Sequence, residues 1–577
     1  MAETKNSKLT PLRRFLMLLK PDKKDLIYIY VFAVLNGVVN LSLPLGVQAI
    51  IGLIIVGSVS TSWSVLVGIV LVGIALTGVL QILQLSVLES MQQRMFARAA
   101  FDMAYRIPRF KQEEIRKFDP TELINRFFDV ITVQKGLPKI LLDFSSSVLN
   151  ILFGLILLSF YHPFFVFFGI VMLIILLAIF YFTIPRGMKT SIKESSHKYR
   201  AVYWLEELAR SMTTFKMAGK TNLPLRKIDE ITQDYLQARK KHFRVLIWHY
   251  IHTISFKTII TGGLLILGGL LVMQREINIG QFVAGEIIII LIINSVEKVI
   301  LSLETMYDLF TGLEKLGQVM DIELEQGNQN KSFELNPCSC VEIEVSNLRL
   351  ILPPQTKPIL DGLNLKIEKQ SSVCISGASG TGKTALLHVL GSIYNNFEGV
   401  LAFDGMPLGS IDIESLRYSI GDNFNQESLF TASLEENITL GREGIESEYL
   451  QQIIKISGLT EFVMQLPSGL KTIMDPTNRN LPQSIERRVF LARSFVHKPS
   501  LLLLDELSEL SELPDYNNLI SYVTSAERNW TLVLVSNDPD VAKLCDKVVF
   551  LEAGHVAHEG HFNELKDIPS VRKIYEL

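Results

Sequence analysis

The sequence predicts two fold classes in one chain: an N-terminal all-α domain of six transmembrane helices, followed by a C-terminal α/β phosphate-loop domain. Three observations carry this expectation. Six long apolar stretches fill the first half, at 27–56, 64–90, 140–160, 163–185, 247–273 and 279–303. Gly377-Ala378-Ser379-Gly380-Thr381-Gly382-Lys383-Thr384 fits G-x-x-x-x-G-K-[ST], set between a short buried-strand pattern, Ser372–Ser376, and a helical one from Ala385. Leu501-Leu502-Leu503-Leu504-Asp505-Glu506 is an apolar run ending in two carboxylates, as in a buried parallel strand that delivers acid to a site at its end.

The whole composition agrees. At 577 residues and 48% hydrophobic content the chain is too long for one domain and too apolar for a wholly soluble one. A net charge of −3 gives no reason to expect nucleic acid as a partner. The four cysteines, Cys338, Cys340, Cys374 and Cys545, all lie in the second half, where no disulfide framework is expected. Cys338-Ser339-Cys340 lacks metal-ligand spacing.

Taken in order, residues 1–26 are polar, with basic residues around Leu12, Phe15, Leu16, Leu18 and Leu19. That run is too short to span and has no cleavage pattern, so it predicts an amphipathic lead-in on the cytoplasmic membrane face. Each of the six apolar stretches approaches or exceeds the roughly 20 residues a bilayer requires, giving a membrane domain over 27–314. The segment between the second and third stretches holds Arg94, Arg98, Arg106, Arg109, Lys111, Arg116 and Lys117, and that between the fourth and fifth is similarly basic. The opposite loops offer only Arg275, so the basic segments and both termini are expected inside.

Both inner segments carry helical periodicity, so the second to fifth helices are expected to run well past the bilayer. Asp119-Pro120-Thr121-Glu122 and Ala218-Gly219-Lys220-Thr221 mark breaks. Short transverse helices there would dock on the soluble domain, with plain surface turns as the alternative. Asn294, Glu297, Glu304 and Asp308 recur at helical spacing around Leu301. This stripe either lines a watery cavity or pairs with residues such as Lys298 and Lys257. His242, His249 and His252 are joined by no carboxylate or cysteine in sequence, so no metal site is expected. Residues 315–340 are polar and turn-rich, a linker, and strand alternation from Val341 opens a second domain over 341–577.

In the phosphate loop the glycines let backbone N–H groups close on phosphate oxygens, and the following helix N-terminus adds positive potential. Lys383 supplies a charge and Thr384 a hydroxyl for Mg²⁺. Asp505 would hold that ion through water, Glu506 would act as general base on the attacking water, and Gln426 would reach both metal and water.

Six spans with long inner extensions, then this order of nucleotide motifs, resemble an ATP-binding cassette exporter half-transporter over nearly the whole chain. Leu416-Arg417, Gln426, Leu429-Phe430 and Glu436-Asn437-Ile438 resemble the family's glutamine loop and its surroundings, and Leu491-Ala492-Arg493-Ser494 resembles its signature helix. The short outer loops and Glu276-Ile277-Asn278-Ile279-Gly280-Gln281-Phe282 are similar to bacterial type I secretion exporters. The N-terminal peptidase-like domain of some of those exporters is not expected. The resemblance implies ATP and Mg²⁺ as cofactors, the bacterial inner membrane with the nucleotide domain in the cytosol, and a second half-transporter as partner. It further implies a periplasmic adaptor and an outer-membrane channel.

Departures from the family pattern qualify the activity. Leu481-Pro482-Gln483-Ser484-Ile485 stands where the family has Leu-Ser-Gly-Gly-Gln, the segment that caps the opposite subunit's γ-phosphate. Pro482 has neither hydroxyl nor N–H to give, though proline suits a first helical turn and should leave the helix dipole intact. Asn537 stands for the family's histidine, able to hydrogen-bond a phosphate oxygen but not to carry charge or relay a proton. Leu350 lies where an aromatic residue would stack on adenine and offers only apolar contact. Glu509-Leu510-Ser511-Glu512 replaces serine, alanine, leucine and aspartate, disturbing signalling between subunits. The expectation is an ATP-driven exporter half-transporter working as a dimer with slowed hydrolysis. The alternatives are an ATP-holding regulatory subunit and an ATP-gated channel.

Overall fold

The computed structural model describes residues 10–55, 61–116, 120–325, 339–353, 355–424, 428–475, 481–505, 516–525 and 529–575. The chain divides into two compact units, Met1–Arg109 with Phe118–Ile322, and Phe110–Lys117 with Glu323–Leu577.

The first unit is all helix. Among the described residues, six helical segments are long and apolar enough to cross a membrane: Pro11–Ile55, Thr61–Arg109, Leu123–Ser159, Pro163–Arg210, Leu223–Met273 and Ile279–Met320. The apolar runs set where they cross, and the helical periodicity of the inner segments continues them further, to 48 residues for Pro163–Arg210. Local chemistry sets their starts. His162 accepts a bond from the Phe164 N–H at 3.1 Å. Asn278 and Gln281 form a reciprocal capping box at 2.8 and 2.9 Å, so part of the Glu276–Phe282 stretch is a helix start. The last helix runs to Met320, into the stretch expected as linker. Ile288, Ile292, Val296 and Leu303 of this helix form the interior with Leu158, Phe165, Met172 and Phe256. His242 and His249 lie edge-on and tilted against Tyr307, each with centroids 6.1 Å away.

The lead-in forms helix Pro11–Leu19, and protein rather than lipid takes one of its faces. Phe15 sits edge-on to Phe310 at 5.8 Å, and Arg14 reaches Asp321 at 3.0 Å, while Leu12 and Leu16 stay exposed. The acidic stripe is met by cations: Glu297 lies 3.7 Å from Lys257 and Glu304 3.8 Å from Arg239. Of the two readings the sequence left open for Glu297, pairing with Lys257 is the one observed. Near the two expected breaks the chain forms short helices, Gln112–Ile115 before Pro120 and Met212–Met217 before Gly219.

The second unit is α/β. Its main sheet has six strands: Ile420–Asn423, Leu501–Asp505, Thr531–Val535, Ser372–Ser376 and Lys547–Glu552 run parallel, and His555–Gly560 closes one edge antiparallel. Leu501–Asp505, Thr531–Val535 and Ser372–Ser376 are buried throughout, which explains the apolar residues on both faces of each strand's middle. A smaller antiparallel sheet orders Leu360–Ile367, Ile343–Leu350, Glu398–Phe403 and Met406–Pro407.

Candidate nucleotide-binding site

Strand order brings the two acid and phosphate motifs to one edge of the main sheet. Val535 pairs with Asp505 on one side and with Ile375 on the other, so Asp505 ends its strand level with the residue two before Gly377. At about 4.8 Å per strand the separation is roughly 10 Å across the crevice outside the carboxyl ends, where open α/β sheets bind ligands. Asp505 is buried there.

Between Ser376 and helix Lys383–Leu390 the loop turns on glycines. Gly377, Gly380 and Gly382 have φ of 148°, 81° and 100°. At Gly377 a side chain is excluded by space as well as by φ, since its Cβ would stand 2.4 Å from the Leu551 carbonyl oxygen. Lys383 turns back over the loop and donates to the carbonyls of Gly377 and Ala378 at 2.7 and 2.8 Å. Thr381 donates to the Ala378 carbonyl at 2.9 Å, Ser379 is exposed, and Thr384 is exposed at the start of the helix. The segment contains no carboxylate. Backbone N–H groups at a helix start, one ammonium and one hydroxyl fit a phosphate chain, and Asp505 with Thr384 fits a hard divalent cation such as Mg²⁺.

Asn537 is brought to this loop. Its Oδ1 accepts from the Ser376 hydroxyl at 2.9 Å and the Gly377 N–H at 3.2 Å, and its Nδ2 donates to the Gly377 carbonyl at 3.2 Å. The residue therefore pins the loop's first glycine through both of its flanking peptides. Leu350 requires a correction. A bulge between Val345 and Leu348 resets the alternation of Ile343–Leu350 and turns it inward opposite Leu360, and it is 0% exposed, so no surface remains for a base. Gln426, Glu506 and Glu509–Glu512 lie outside the described residues.

The divergent segment leads into helix Gln483–Phe495, with Pro482 at the cap position rather than in the first turn. The Pro482 carbonyl accepts from the Ile485 N–H at 2.9 Å, and Gln483 and Ser484 are exposed. A helix of 13 residues keeps its dipole end outward there. Along it, Leu491 and Ala492 are buried and Arg493 donates to the Asn437 carbonyl at 3.0 Å. Asn437 itself staples the preceding turn, bonding both the N–H and the carbonyl of Phe430.

Sequence reasoning missed the residues that couple this site to the short helix Gln112–Ile115, which belongs to the same unit. Glu113, 8% exposed, accepts from the N–H groups of Asn395 and Asn396 at 2.9 and 3.1 Å. The ring of Tyr394, next in the chain, lies 5.2 Å from His388 on the phosphate-loop helix, and His388 lies 4.8 Å from Phe424. Burial holds the His388 imidazole down at about 4, with the Arg116 charge adding to it. Arg417 makes a bidentate pair with Glu325 at 2.5 and 2.9 Å, fixing a residue from the expected linker. Glu113 lies upstream of the break expected at Asp119-Pro120-Thr121-Glu122, and no local signal pointed to it.

Comparisons with known proteins converge on this arrangement. Residues 26–296 match the model of the ABC transporter transmembrane region, and residues 360–509 match the ABC transporter model, a domain that implies ATP binding. The leukotoxin translocation ATP-binding protein LktB of Mannheimia glucosida and the alpha-hemolysin translocation ATP-binding protein HlyB of Escherichia coli O157:H7 are each 26% identical over 299 residues, 52% of this chain and 42% of theirs. Multidrug resistance protein pgp-1 of Caenorhabditis elegans is 27% identical over 225 residues, 39% of this chain and 17% of its own. The matched stretch thus spans less than half of the length of these curated relatives. The structure of a bacterial Atm1-family ABC exporter with ATP bound superposes with a TM-score of 0.81 at 17% identity, covering 96% of this chain and 98% of the other, a likeness of fold.

Proposed function

The chain belongs to the ATP-binding cassette transporters, and on that premise we propose that it is an exporter half-transporter, an integral membrane ATPase that exports cargo by alternating access when paired with a second half-transporter. The observation that carries this reading is the shared edge that holds the phosphate loop and Asp505, on a domain preceded by six spanning helices.

Loop N–H groups from Gly377 to Gly382, with Lys383, would hold the β- and γ-phosphates of ATP. Thr384, Asp505 and Gln426 would hold Mg²⁺, whose charge lowers repulsion between the phosphates and the attacking oxygen. Glu506 would accept the proton of the attacking water. Asn537 would organise the loop and offer the phosphate a hydrogen bond without a charge, and Pro482 would leave the opposing cap to a helix N-terminus, so turnover is slow. The nucleotide domain faces the cytosol, in a bacterial inner membrane. On the resemblance to type I secretion exporters, a periplasmic adaptor and an outer-membrane channel would complete the path. The domain limits proposed are 1–26, 27–314, 315–340 and 341–577.

Purified full-length chain should retain ATP and release phosphate slowly, and Glu506→Gln should abolish the release while preserving retention. Unchanged release would remove Glu506 from the mechanism. A second reading, an ATP-holding subunit that does not hydrolyse, is favoured by Pro482 and Asn537 and predicts retention with negligible release from the parent chain. Brisk turnover by a homodimer excludes it.

A further inference from the structure

The lead-in helix Pro11–Leu19 walls one side of a pocket of about 700 Å³ in the first unit, within the range of small-ligand sites. The other walls are the inner end of Thr61–Arg106, helix Asp129–Pro138 and the last helix. Its interior is apolar and adaptable. Met17, Met95, Met103 and Met320 line it with Val133 and Leu313, and unbranched thioether side chains adjust to a flexible occupant. No aromatic ring stands among the described lining residues, so nothing there favours a flat ligand.

The charges in the wall are taken up by one another. Arg14 lies 3.0 Å from Asp321 and 3.7 Å from Glu314, and Arg106 lies 3.0 Å from Asp102. Arg98 pairs with Asp22, which also meets Arg94, and Arg94 reaches Asp25 as well. Four guanidinium groups thus face five carboxylates, which leaves no surplus cation inside for an anion. An uncharged chain suits this interior.

The mouth is different. Met17 lines the pocket yet is 49% exposed, beside Leu12 and Leu16 at 59% and 60%. That outer face of the lead-in is the one its amphipathic sequence turns to a membrane. Arg13, Met17 and Lys20 recur at helical spacing, and Lys23 and Lys24 follow. All four cations are exposed, and among the described residues none of them makes an ion pair. An apolar interior that opens beside a membrane-lying face, under a cluster of unmatched cations, fits a lipid with an anionic head.

We propose that this pocket holds one acyl chain of an inner-leaflet phospholipid, whose anionic headgroup rests on the cluster around Lys20 and Lys24. The inference rests on the membrane reading, under which the lead-in lies at the cytoplasmic face. The bilayer itself then supplies the occupant, because Leu12 and Leu16 hold the mouth against it.

Photocrosslinking tests this on full-length chain in nanodiscs of zwitterionic lipid. The probes are phospholipids with a diazirine on the acyl chain and either a phosphatidylglycerol or a phosphatidylcholine head, and mass spectrometry locates the crosslinks. Phosphatidylglycerol is expected to label the peptides of Met17, Met95 and Met320 at least about tenfold more than phosphatidylcholine. Ala99→Phe, which fills the pocket, should remove most of that labelling and leave the exposed Phe167 and Ile174 of helix Pro163–Arg210 labelled as before. Lys20→Ala with Lys24→Ala, both on the surface, should bring the two heads to within about twofold of each other, and this variant keeps the comparison usable if Ala99→Phe misfolds. Equal labelling by the two heads in the parent, undiminished labelling in a folded Ala99→Phe chain, or an unchanged head preference in the lysine variant would each overturn the proposal. So would a diazirine fatty acid that labels the same peptides as strongly as phosphatidylglycerol. Crosslinks at Phe167 and Ile174 with none at the pocket sink this inference alone, whereas a chain with no lipid crosslink on any of its six apolar segments sinks the exporter reading with it.

Discussion

Replacing Glu113 by alanine tests whether one buried carboxylate fixes the short helix Gln112–Ile115 beside the nucleotide site. One oxygen of Glu113 accepts two backbone N–H groups, from Asn395 and Asn396 at 2.9 and 3.1 Å, and the residue is 8% exposed. Hydrogen bonds to a charged acceptor contribute about 1.5–3 kcal/mol, but water can enter the space alanine vacates and recover part of this. A net loss of about 2 kcal/mol corresponds to roughly 30-fold in an opening equilibrium. Hydrogen exchange with mass-spectrometric readout on the full-length chain should show the amides of Asn395 and Asn396 exchanging faster by about that factor. Glu113→Gln, which keeps an acceptor without the charge, should fall between. Strand Leu501–Asp505 is the internal control and should not change. Unaltered exchange at Asn395 and Asn396 in Glu113→Ala would refute the reasoning, because those bonds would then contribute nothing.

Two further perturbations act on the phosphate loop and its helix. Gly377→Ala places a Cβ 2.4 Å from the Leu551 carbonyl oxygen at a φ of 148°, so nucleotide retention should fall below detection and stability by about 1–3 kcal/mol, read by fluorescent-nucleotide titration and thermal melting. The His388 imidazole is held down at about 4 against an ordinary 6.5, so between these values the unfolded chain binds a proton that the folded chain does not. This contribution is complete above pH 6.5 and is lost as pH falls toward 4, by up to about 3 kcal/mol. His388→Phe, packed between Tyr394 and Phe424, should flatten the fall in unfolding midpoint over that window; an identical pH profile would count against the assignment.

Much of this architecture was legible because it depends on local pattern. An apolar run of about 20 residues crosses a bilayer whatever surrounds it. A glycine loop between Ser372–Ser376 and a helix from Lys383 needs only its own backbone freedom. The contacts that were not legible are those between residues far apart in sequence. Nothing local says that Glu113 will cap Asn395 and Asn396, or that Glu325, in a stretch read as linker, will pair with Arg417. The pairing of Glu297 with Lys257 requires two helices at a particular rotation, which periodicity on one of them leaves open. Leu350 was missed for a local reason. The resemblance assigned it a surface role, whereas a bulge between Val345 and Leu348 shifts the alternation of its strand by one and turns it into the core.

The geometry of Asn537 bears on how the divergent motifs work together. Its carboxamide oxygen takes the Ser376 hydroxyl and the Gly377 N–H while its NH₂ group reaches the Gly377 carbonyl, so donor and acceptor from one planar group serve the two peptides flanking one glycine. A neutral imidazole carries one donor and one acceptor on opposite sides of a ring and cannot meet this pattern with one residue's N–H and C=O. Asparagine is thus suited to holding the loop in shape, a role separate from supplying charge to a phosphate. Pro482 acts in the same direction at the other divergent segment: it fixes the start of helix Gln483–Phe495 and leaves that dipole end exposed, yet brings no side-chain donor. Under the proposed function both substitutions preserve the shape of a triphosphate site while removing groups that would respond to charge developing during hydrolysis. Asn537→His should therefore exchange loop order for charge, with ATP held less firmly by the parent loop, and an Asn537→His chain that retained ATP as firmly as the parent would show that the Ser376 and Gly377 bonds play no part in holding it.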